Sequence, residues 1–302
     1  MSATMRFADP DALYQAGRQR RAALRTVPVS RSPAGSGLGL VGILGLGLAM
    51  AFFVLPLAFL VALSFKTRDE VLLGQFFTVK PTLDNWVMAF KVINLSGFIC
   101  HSLIISTASA LLTLALTTPA TYAIARLGHC RFVGSLALSS YIAPPVVALL
   151  PLFFLMRALG LLNTLPGMIV VDGLMNIPVA YWLLRGFVRQ VPDSLDEAAW
   201  IDGTGYVKTF VVVILPLLLP GLVATGLIVM ILAYNEFLFA SLFAQDDAVR
   251  GLTVAISLFQ GDRFVNFGQM AVASLAGIAP VYVIAFLFQG RLIGGLTAGG
   301  VR

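Results

Sequence analysis

Charged residues are scarce in this 302-residue chain, and their scarcity excludes most soluble folds. Only 11% of the residues are Asp, Glu, Lys or Arg, whereas 59% are hydrophobic and the mean hydropathy is +0.93. Soluble domains are charged at about a quarter of their positions. A water-soluble fold cannot hide this much apolar surface, so the composition predicts a polytopic membrane protein whose partner is membrane lipid.

Residues that build catalytic and metal centres are also few. The chain has two His and two Cys, and it lacks the H-E-x-x-H and C-x-x-C patterns of metal sites. It also lacks G-x-x-x-x-G-K-[ST], the loop that cradles nucleotide phosphates. The sequence therefore predicts no catalytic residue, no metal ligand and no cofactor bound by this chain. It also predicts that the chain does not itself hydrolyse ATP.

Six apolar runs of about 20 residues are long enough to cross a hydrocarbon core of ~30 Å as helices. They are Leu38–Leu63, Phe98–Ala125, Val133–Met156, Gly167–Phe187, Phe210–Ala233 and Gln269–Phe288. The stretches of alternating hydrophobicity, about ten residues long, that mark membrane β-barrels are absent. The sequence thus predicts an all-α fold with six transmembrane helices.

These runs also define the predicted organisation of the chain. Residues 1–37 form a cytoplasmic tail that is rich in Arg, Ser, Pro and Gly, and we predict that it is disordered. Residues 38–97 hold the first helix and the first outer loop. Residues 98–290 hold a core of five helices, which contains a polar inner segment at 190–209. Residues 291–302 form a C-terminal cytoplasmic tail.

The distribution of Lys and Arg sets the predicted orientation of the helices. With a cytoplasmic N-terminus, thirteen of the 20 Lys and Arg residues fall on inner segments and seven on outer loops. This bias favours two cytoplasmic termini. Topology and contact with anionic headgroups account for the net charge of +6, so the charge requires no nucleic acid.

The polar inner segment has the signals of a short capped helix. Ser194 and Glu197 have the spacing of a capping box, which predicts that Ser194 caps the helix. Gly203 and Gly205 can supply left-handed geometry at its end, and a second helix begins near Tyr206.

Two further features of this region bear on its role. Pro216 and Pro220 predict a kink or a break in the second helix. The small pair Ala198-Ala199 would let the surface of another protein approach closely. The alternative is that the short helix is an ordinary connection.

The same residues resemble a known docking motif. Glu197-Ala-Ala-x-x-x-Gly203, nine further residues, and then Val213-x-Leu215-Pro216 resemble the EAA motif of ABC importer permeases, in which Ile usually stands at the position of Val213. The run from Asn176 to Phe187, with the Trp200-Ile-Asp-Gly that follows, resembles the carbohydrate branch, of the maltose-transporter G-subunit type. That branch usually follows Asp-Gly with Ala-Thr or Ala-Ser, where this chain has Thr204-Gly205.

Other fragments match in order along the chain. They are Tyr122–Leu127, Pro144-Pro145, Leu159–Thr164, Tyr234–Phe239 and the glycine-rich run Phe288–Val301. The resemblance covers about residues 38–302. It implies a permease subunit of the bacterial inner membrane that forms half of the pathway for a carbohydrate or sugar derivative.

The resemblance also implies partners and contact residues. The partners are a second homologous permease subunit, a homodimeric cytoplasmic ATPase that carries ATP and Mg, and an extracytoplasmic solute-binding protein. The residues implied to couple to the ATPase are Glu197, Ala198, Ala199, Asp202 and Gly203. The tail residues implied to reach between the ATPase subunits are Gly294, Gly295 and Leu296.

A few polar residues are candidates for a solute path: Asp172, Asn176, Tyr234, Asn235 and Glu236. The alternative is that Asn235 and Glu236 cap a helix or bond a loop. The rival function is a stand-alone secondary transporter of a small polar solute, which usually needs several buried ionisable groups and two related halves. The sequence shows two such groups and no second copy of the 190–216 pattern. A membrane scaffold would leave the capped helix unexplained.

Overall fold

A computed structural model describes residues 40–75, 78–128, 131–259 and 266–298, with the backbone alone at residues 40, 131, 138 and 289–298. Its helices are α1 (Leu40–Ser64), α2 (Arg68–Leu72), α3 (Asp84–Val87), α4 (Leu95–Arg126), α5 (Arg131–Ser140), α6 (Pro145–Ala158), α7 (Leu165–Met175), α8 (Ile177–Gln190), α9 (Ser194–Ile201), α10 (Tyr206–Thr209), α11 (Leu215–Tyr234), α12 (Ala240–Phe243), α13 (Leu252–Leu258) and α14 (Phe267–Ala298). Two π-helical turns lie at Met88–Val92 and Phe210–Ile214. All regular structure in these residues is helical, which confirms the predicted all-α class.

Within the described residues, four continuous helices are long and apolar enough to cross a membrane: Val41–Ser64, Leu95–Arg126, Tyr206–Tyr234 and Phe267–Phe288. A fifth candidate is the pair α7 and α8, which meet at Asn176 with a bend of 50°. Pro178 lies in the first turn of α8, and it has no N–H to bond the carbonyl of Leu174, so the two helices do not fuse into one. The fourth predicted span is therefore a bent pair.

The third predicted span, Val133–Met156, is not one helix. Helix α5 ends at Ser140, and α6 begins at Pro145. Pro144 has a ψ of 127°, because a residue before proline is kept out of the helical region. The apolar run is continuous in sequence, but the Pro144-Pro145 pair divides it into two helices.

The chain divides into two units, one up to Leu55 and one from Pro56 onward. In the first unit, residues 41–55 of α1 are apolar on every side, and nearly all of them are exposed. A helix that is hydrophobic all round is stable only in lipid or inside a larger assembly. The second unit contains all the remaining helices.

Helix α4 is the centre of the second unit, where it packs against α7, α8 and α11. Its buried face carries small hydroxyl residues, namely Ser102, Ser106, Ser109, Thr113, Thr117, Thr118 and Thr121. The Thr113 hydroxyl donates to the Gly173 carbonyl at 2.7 Å, and the Ser109 hydroxyl donates to the Ile169 carbonyl at 3.2 Å, both on α7. Small residues let membrane helices approach closely, and each such bond contributes about 0.6 kcal/mol.

The two ends of α4 carry different parts of the second unit. The end at Leu95 contacts the residues around Leu252. The end at Arg126 contacts the chain that follows α8 and leads into α9. The polar segment predicted at 190–209 therefore lies where α4 and α8 both end.

The predicted tails fall partly outside this description. Residues 1–37 and residues 299–302 are outside the described residues. The backbone of residues 291–298 continues α14 as helix, so the part of the predicted C-terminal tail that is described is a helical extension.

Candidate functional site

Helix α9 and the turn after it form the segment predicted to be a capped helix and a glycine turn. The helix begins one residue earlier than the capping box predicts, since Asp193 is the residue that precedes it and Ser194 is its first helical residue. No side chain caps this start. The predicted Ser194–Glu197 capping box is therefore wrong.

Ionic contacts explain why Asp193 is the residue that precedes α9. The guanidinium of Arg126, at the end of α4, pairs with the Asp193 carboxylate. The same guanidinium donates to the Val191 carbonyl. These contacts hold the chain in the turn before α9, and the Asp193 carbonyl then accepts the N–H groups of Asp196 and Glu197.

Asp196 fastens α9 to α4. Its side chain is 4% exposed, and Oδ1 accepts a hydrogen bond of 2.7 Å from the Tyr122 hydroxyl. Its Oδ2 lies 3.5 Å from Nε of Arg126, whose side chain is 9% exposed. Tyr122 and Arg126 are four residues apart, so they lie on one face of α4. Sequence reasoning noted both as a family match but missed this role, and their i, i+4 spacing at a helix end was the available signal.

The end of α9 has the geometry of a Schellman motif. Gly203 has a φ of +81°, its N–H donates to the Trp200 carbonyl, and the Thr204 N–H donates to the Ala199 carbonyl. This confirms the left-handed turn predicted at Gly203. Gly205 is different, because its φ of −75° and ψ of 162° are extended.

Thr204, where the family usually has alanine, reinforces this turn. Its hydroxyl donates to the Ala199 carbonyl at 2.6 Å and lies 2.8 Å from the hydroxyl of Thr209. Helix α10 then begins at Tyr206, as predicted. The helix runs on through Pro216 to Tyr234 without a break, with a π-helical turn at Phe210–Ile214 just before Pro216, and the alternative of a kink stays a prediction.

The exposed surface of α9 contains most of the predicted coupling residues. Glu197, Ala198, Asp202 and Gly203 are exposed. Ala199 is 8% exposed and packs inside its own chain, so the structure does not place it on this surface. Apolar side chains flank the four exposed residues, and one of them, Ile201, is 86% exposed. We call the exposed residues of α9 and its turn the α9 surface.

A second feature is a cavity of about 750 Å³ between α7, α8, the α5–α6 break and the chain after α11. Its walls are mostly apolar, and they include Tyr141, Pro144 and Phe239. Three of the five solute-path candidates line it, namely Asp172, Asn176 and Glu236. Tyr234 instead lines a much smaller space beside Asp172, and Asn235 is exposed.

Most of the candidate polar groups are engaged within the chain. The carboxylate of Glu236 accepts the N–H groups of Phe239 and Ala240 at 2.9 Å, which caps α12. The amide of Asn235 donates to the Ile231 carbonyl, and that of Asn176 donates to the Asp172 carbonyl. The predicted alternative, in which Asn235 and Glu236 bond a loop or cap a helix, therefore describes their contacts.

Asp172 is the exception in this group. Its side chain is buried, with 1% of the residue exposed, and Oδ1 has no hydrogen-bond partner among the described residues. A buried polar atom without a partner is rare and costly. Of the candidates, Asp172 is therefore the one with a buried polar atom that lacks a partner among the described residues.

The remaining predicted site, Gly294, Gly295 and Leu296, lies on the last turns of α14. The structure describes only the backbone there. The implied contact of these residues with an ATPase stays a prediction.

Comparison with known proteins decides the family. Residues 130–296 match the family model described as the binding-protein-dependent transport system inner membrane component. The chain belongs to this family. The match spans more than half of the sequence and includes both α9 and the cavity-lining helices.

Individual relatives of this inner membrane component cover most of the chain. The sulfoquinovosyl glycerol transport system permease protein of Agrobacterium fabrum is 34% identical over 82% of this chain and 88% of its own length. The trehalose/maltose transport system permease protein of Thermococcus litoralis is 32% identical over 86% of this chain and 95% of its own length.

A solved structure shares the fold. It is a crystal structure of a bacterial ABC transporter involved in the import of the acidic polysaccharide alginate. One of its chains aligns with a TM-score of 0.70 and 18% identity over 95% of this chain and 99% of that chain. Together with the family match, this confirms the predicted permease subunit of an inner-membrane ABC importer.

Proposed function

We propose that this permease subunit carries a carbohydrate or a sugar derivative and that the α9 surface docks on a separate cytoplasmic ATPase. The observation that carries the docking proposal is the construction of α9. Its outward face is exposed in the described residues, while Tyr122 and Arg126 hold its inward face against α4. A push on this surface would therefore be passed to the central helix.

We further propose six transmembrane spans with both termini in the cytoplasm. The spans are α1, α4, α5 with α6, α7 with α8, α10 with α11, and α14. The contacts at the end of α4 support this arrangement, because α9 lies there beside Arg126, Arg185 and Arg189, which the Lys and Arg bias assigns to the cytoplasmic side. ATP and Mg are expected on the ATPase, which we propose is a homodimer.

The second permease subunit is expected to complete the solute path. The 750 Å³ cavity opens beside α6, where Tyr141, Val146 and Val147 are more than half exposed. A homologous subunit that covered these side chains would enclose the cavity and place Asp172 in the path. Rigid-body movement of the helices would expose the path to each side in turn, and an extracytoplasmic binding protein would deliver the solute.

The carbohydrate proposal is supported by the names of the relatives, which include sulfoquinovosyl glycerol, trehalose, maltose, melibiose and raffinose. It is tested by measuring binding of labelled sugars to the partner binding protein, followed by uptake into vesicles that contain the assembled transporter. Uptake of a non-carbohydrate solute alone would refute it.

The docking proposal is tested by capture of the ATPase subunit on the immobilised permease. Glu197→Lys reverses a charge on the α9 surface, and Asp246→Lys reverses a charge on an exposed residue at the other end of the second unit. We expect Glu197→Lys to abolish capture and Asp246→Lys to leave it unchanged. Full capture by Glu197→Lys would show that the ATPase binds elsewhere.

A further inference from the structure

The end of α8 beside α9 carries two arginines that the transport function does not use. Arg185 and Arg189 are four residues apart, so they lie on one face of the helix. Neither has an ion-pair or hydrogen-bond partner in the part of the chain that the structure describes. Arg126, on the neighbouring helix, differs because Asp193 and Asp196 compensate its charge.

A cavity of about 320 Å³ lies against these arginines, between the end of α4, α5 and α8. Tyr181 also lines this cavity, and its ring is 5% exposed. The Tyr181 hydroxyl has no hydrogen-bond partner in the described residues. A methyl group added at Gly134 would overlap this hydroxyl, so the glycine is what lets the ring reach the cavity. The cavity thus combines two guanidinium groups with a phenolic donor and no acid.

The other side of the same arginines is open and apolar. A second cavity, of about 330 Å³, is lined by Trp182, Leu183 and Gly186 together with Arg185 and Arg189. The Trp182 side chain is 64% exposed. Exposed tryptophan beside arginine is typical of a helix at the level of lipid headgroups.

We propose that Arg185, Arg189 and the Tyr181 hydroxyl bind the phosphate group of an anionic phospholipid, whose acyl chains lie over Trp182 and Leu183. Guanidinium groups donate paired hydrogen bonds to phosphate oxygens, and basic pockets between membrane helices select anionic headgroups. A free phosphate would satisfy the arginines, but it would leave the apolar second cavity unfilled. The structure therefore favours a lipid over a soluble anion.

The proposed lipid site lies next to the α9 surface. It lies on the helix that leads directly into α9, and it shares the end of α4 with the Arg126 network. A bound lipid phosphate would place a negative charge beside two uncompensated arginines and fill the space between α5 and α8. Lipid binding is a property of this subunit alone, so it can be measured whether or not the ATPase docks on α9.

The test is native mass spectrometry of the purified full-length chain with phosphatidylglycerol, cardiolipin or phosphatidylcholine. We expect the chain to retain phosphatidylglycerol and cardiolipin in preference to phosphatidylcholine. Arg185→Gln and Arg189→Gln should each weaken the binding of anionic lipid about fivefold. The double variant should weaken it about thirtyfold. Arg157→Gln removes an exposed arginine at the end of α6 and should leave the affinity unchanged.

Three further measurements distinguish a site for anionic lipid from a site for a soluble anion and from no specific site. Replacement of both arginines by Lys should preserve most of the binding, whereas equal retention of anionic lipid by the double Gln variant would overturn the proposal. Wild-type protein with no preference between phosphatidylglycerol and phosphatidylcholine would also overturn it, and that result requires no variant to fold. Displacement of the lipid by millimolar inorganic phosphate would assign the site to a soluble anion instead.

Discussion

The two ends of the second unit are fastened in different ways. At the α9 end, the buried carboxylate of Asp196 and the guanidinium of Arg126 hold one short helix. At the other end, neutral bonds hold most of the loops, beside the Glu236 carboxylate that caps α12 and the pair of Arg250 with Asp247. For example, the Ser102 hydroxyl accepts the Leu252 N–H, and Oδ1 of Asn163 accepts the Gln245 N–H.

This difference affects how each end of the second unit can move. Distributed neutral bonds stabilise a loop without making any one residue essential. A small number of charged contacts makes α9 move with the end of α4, which is what transmission of a push requires. The comparison predicts that matched changes at the two ends have unequal effects.

The largest difference is expected between the two arginines. Arg126→Gln leaves the Asp196 carboxylate buried without a cation, so we expect a loss of about 3–5 kcal/mol of stability and faster hydrogen exchange in α9. Arg250→Gln breaks a pair with Asp247, whose side chain is 78% exposed, and a bond to the Gln245 carbonyl, so it should cost about 0.5–2.5 kcal/mol. Thermal unfolding in detergent and amide exchange measure both. Equal losses in the two variants would contradict the comparison.

Two tyrosines provide a smaller version of the same test. Tyr122→Phe removes a hydrogen bond to a carboxylate and should cost about 1.5–3 kcal/mol. Tyr234→Phe removes a bond of 2.9 Å to the neutral carbonyl of Gly277 and should cost about 0.5–1.5 kcal/mol. The unfolding midpoint of each variant is the measurement, and a larger loss for Tyr234→Phe would reverse the expected order.

Two glycines test the turn that follows α9. Gly203→Ala forces alanine into a φ of +81° and should cost about 1–2 kcal/mol, although the added methyl meets open space. Gly205→Ala adds the same methyl in open space at a φ of −75° and should be neutral or slightly stabilising. Amide exchange of Gly203 and Thr204 reports the turn. Equal stability and equal amide exchange in the two variants would show that the left-handed turn at Gly203 does not stabilise the end of α9.

The smallest expected effect on stability concerns a carboxylate that is bound by backbone N–H groups instead of by a cation. Glu70, in α2, accepts N–H groups from Thr67 and from Val79 and Lys80 in the loop that follows α2. The Lys80 N–H is the main cause of a lowered Glu70 pKa, which burial only partly opposes. The bound carboxylate therefore stabilises this loop above its usual pKa, 4.5, and loses that contribution as the pH falls through the lowered value.

Amide exchange of Val79 and Lys80, corrected for the intrinsic pH dependence, measures this loss. Protection should fall with pH in the wild type, and it should be weak and independent of pH in Glu70→Gln. A wild-type profile that stays flat below pH 4.5 would show that Glu70 does not hold the loop.

Local sequence signals predicted much of this molecule. Apolar length located α1, α4 and α14 to within a few residues, except that α14 continues further as helix. The glycine at 203 predicted the end of α9, because few other residues adopt a positive φ at a helix end. The polar candidates for the solute path were found because they interrupt apolar runs, and three of them do line one cavity.

Long-range contacts account for what the sequence did not reveal. The start of α9 depends on Arg126, which lies 67 positions before Asp193, so local spacing favoured Ser194 instead. The break at Pro144-Pro145 was hidden by a run whose average hydrophobicity does not change across it. The burial of Ala199 follows from how α9 sits on its neighbours, which composition does not show.

Thiol protection on the α9 surface tests the central claim most directly. In a chain whose Cys100 and Cys130 are replaced by Ala, Ala198→Cys places a thiol on the exposed side of α9, and Asp246→Cys places one at the other end. Addition of the ATPase should block maleimide labelling of the Ala198→Cys variant and leave the Asp246→Cys variant fully labelled. Unchanged labelling of the Ala198→Cys variant in a complex that contains the ATPase would contradict docking on α9.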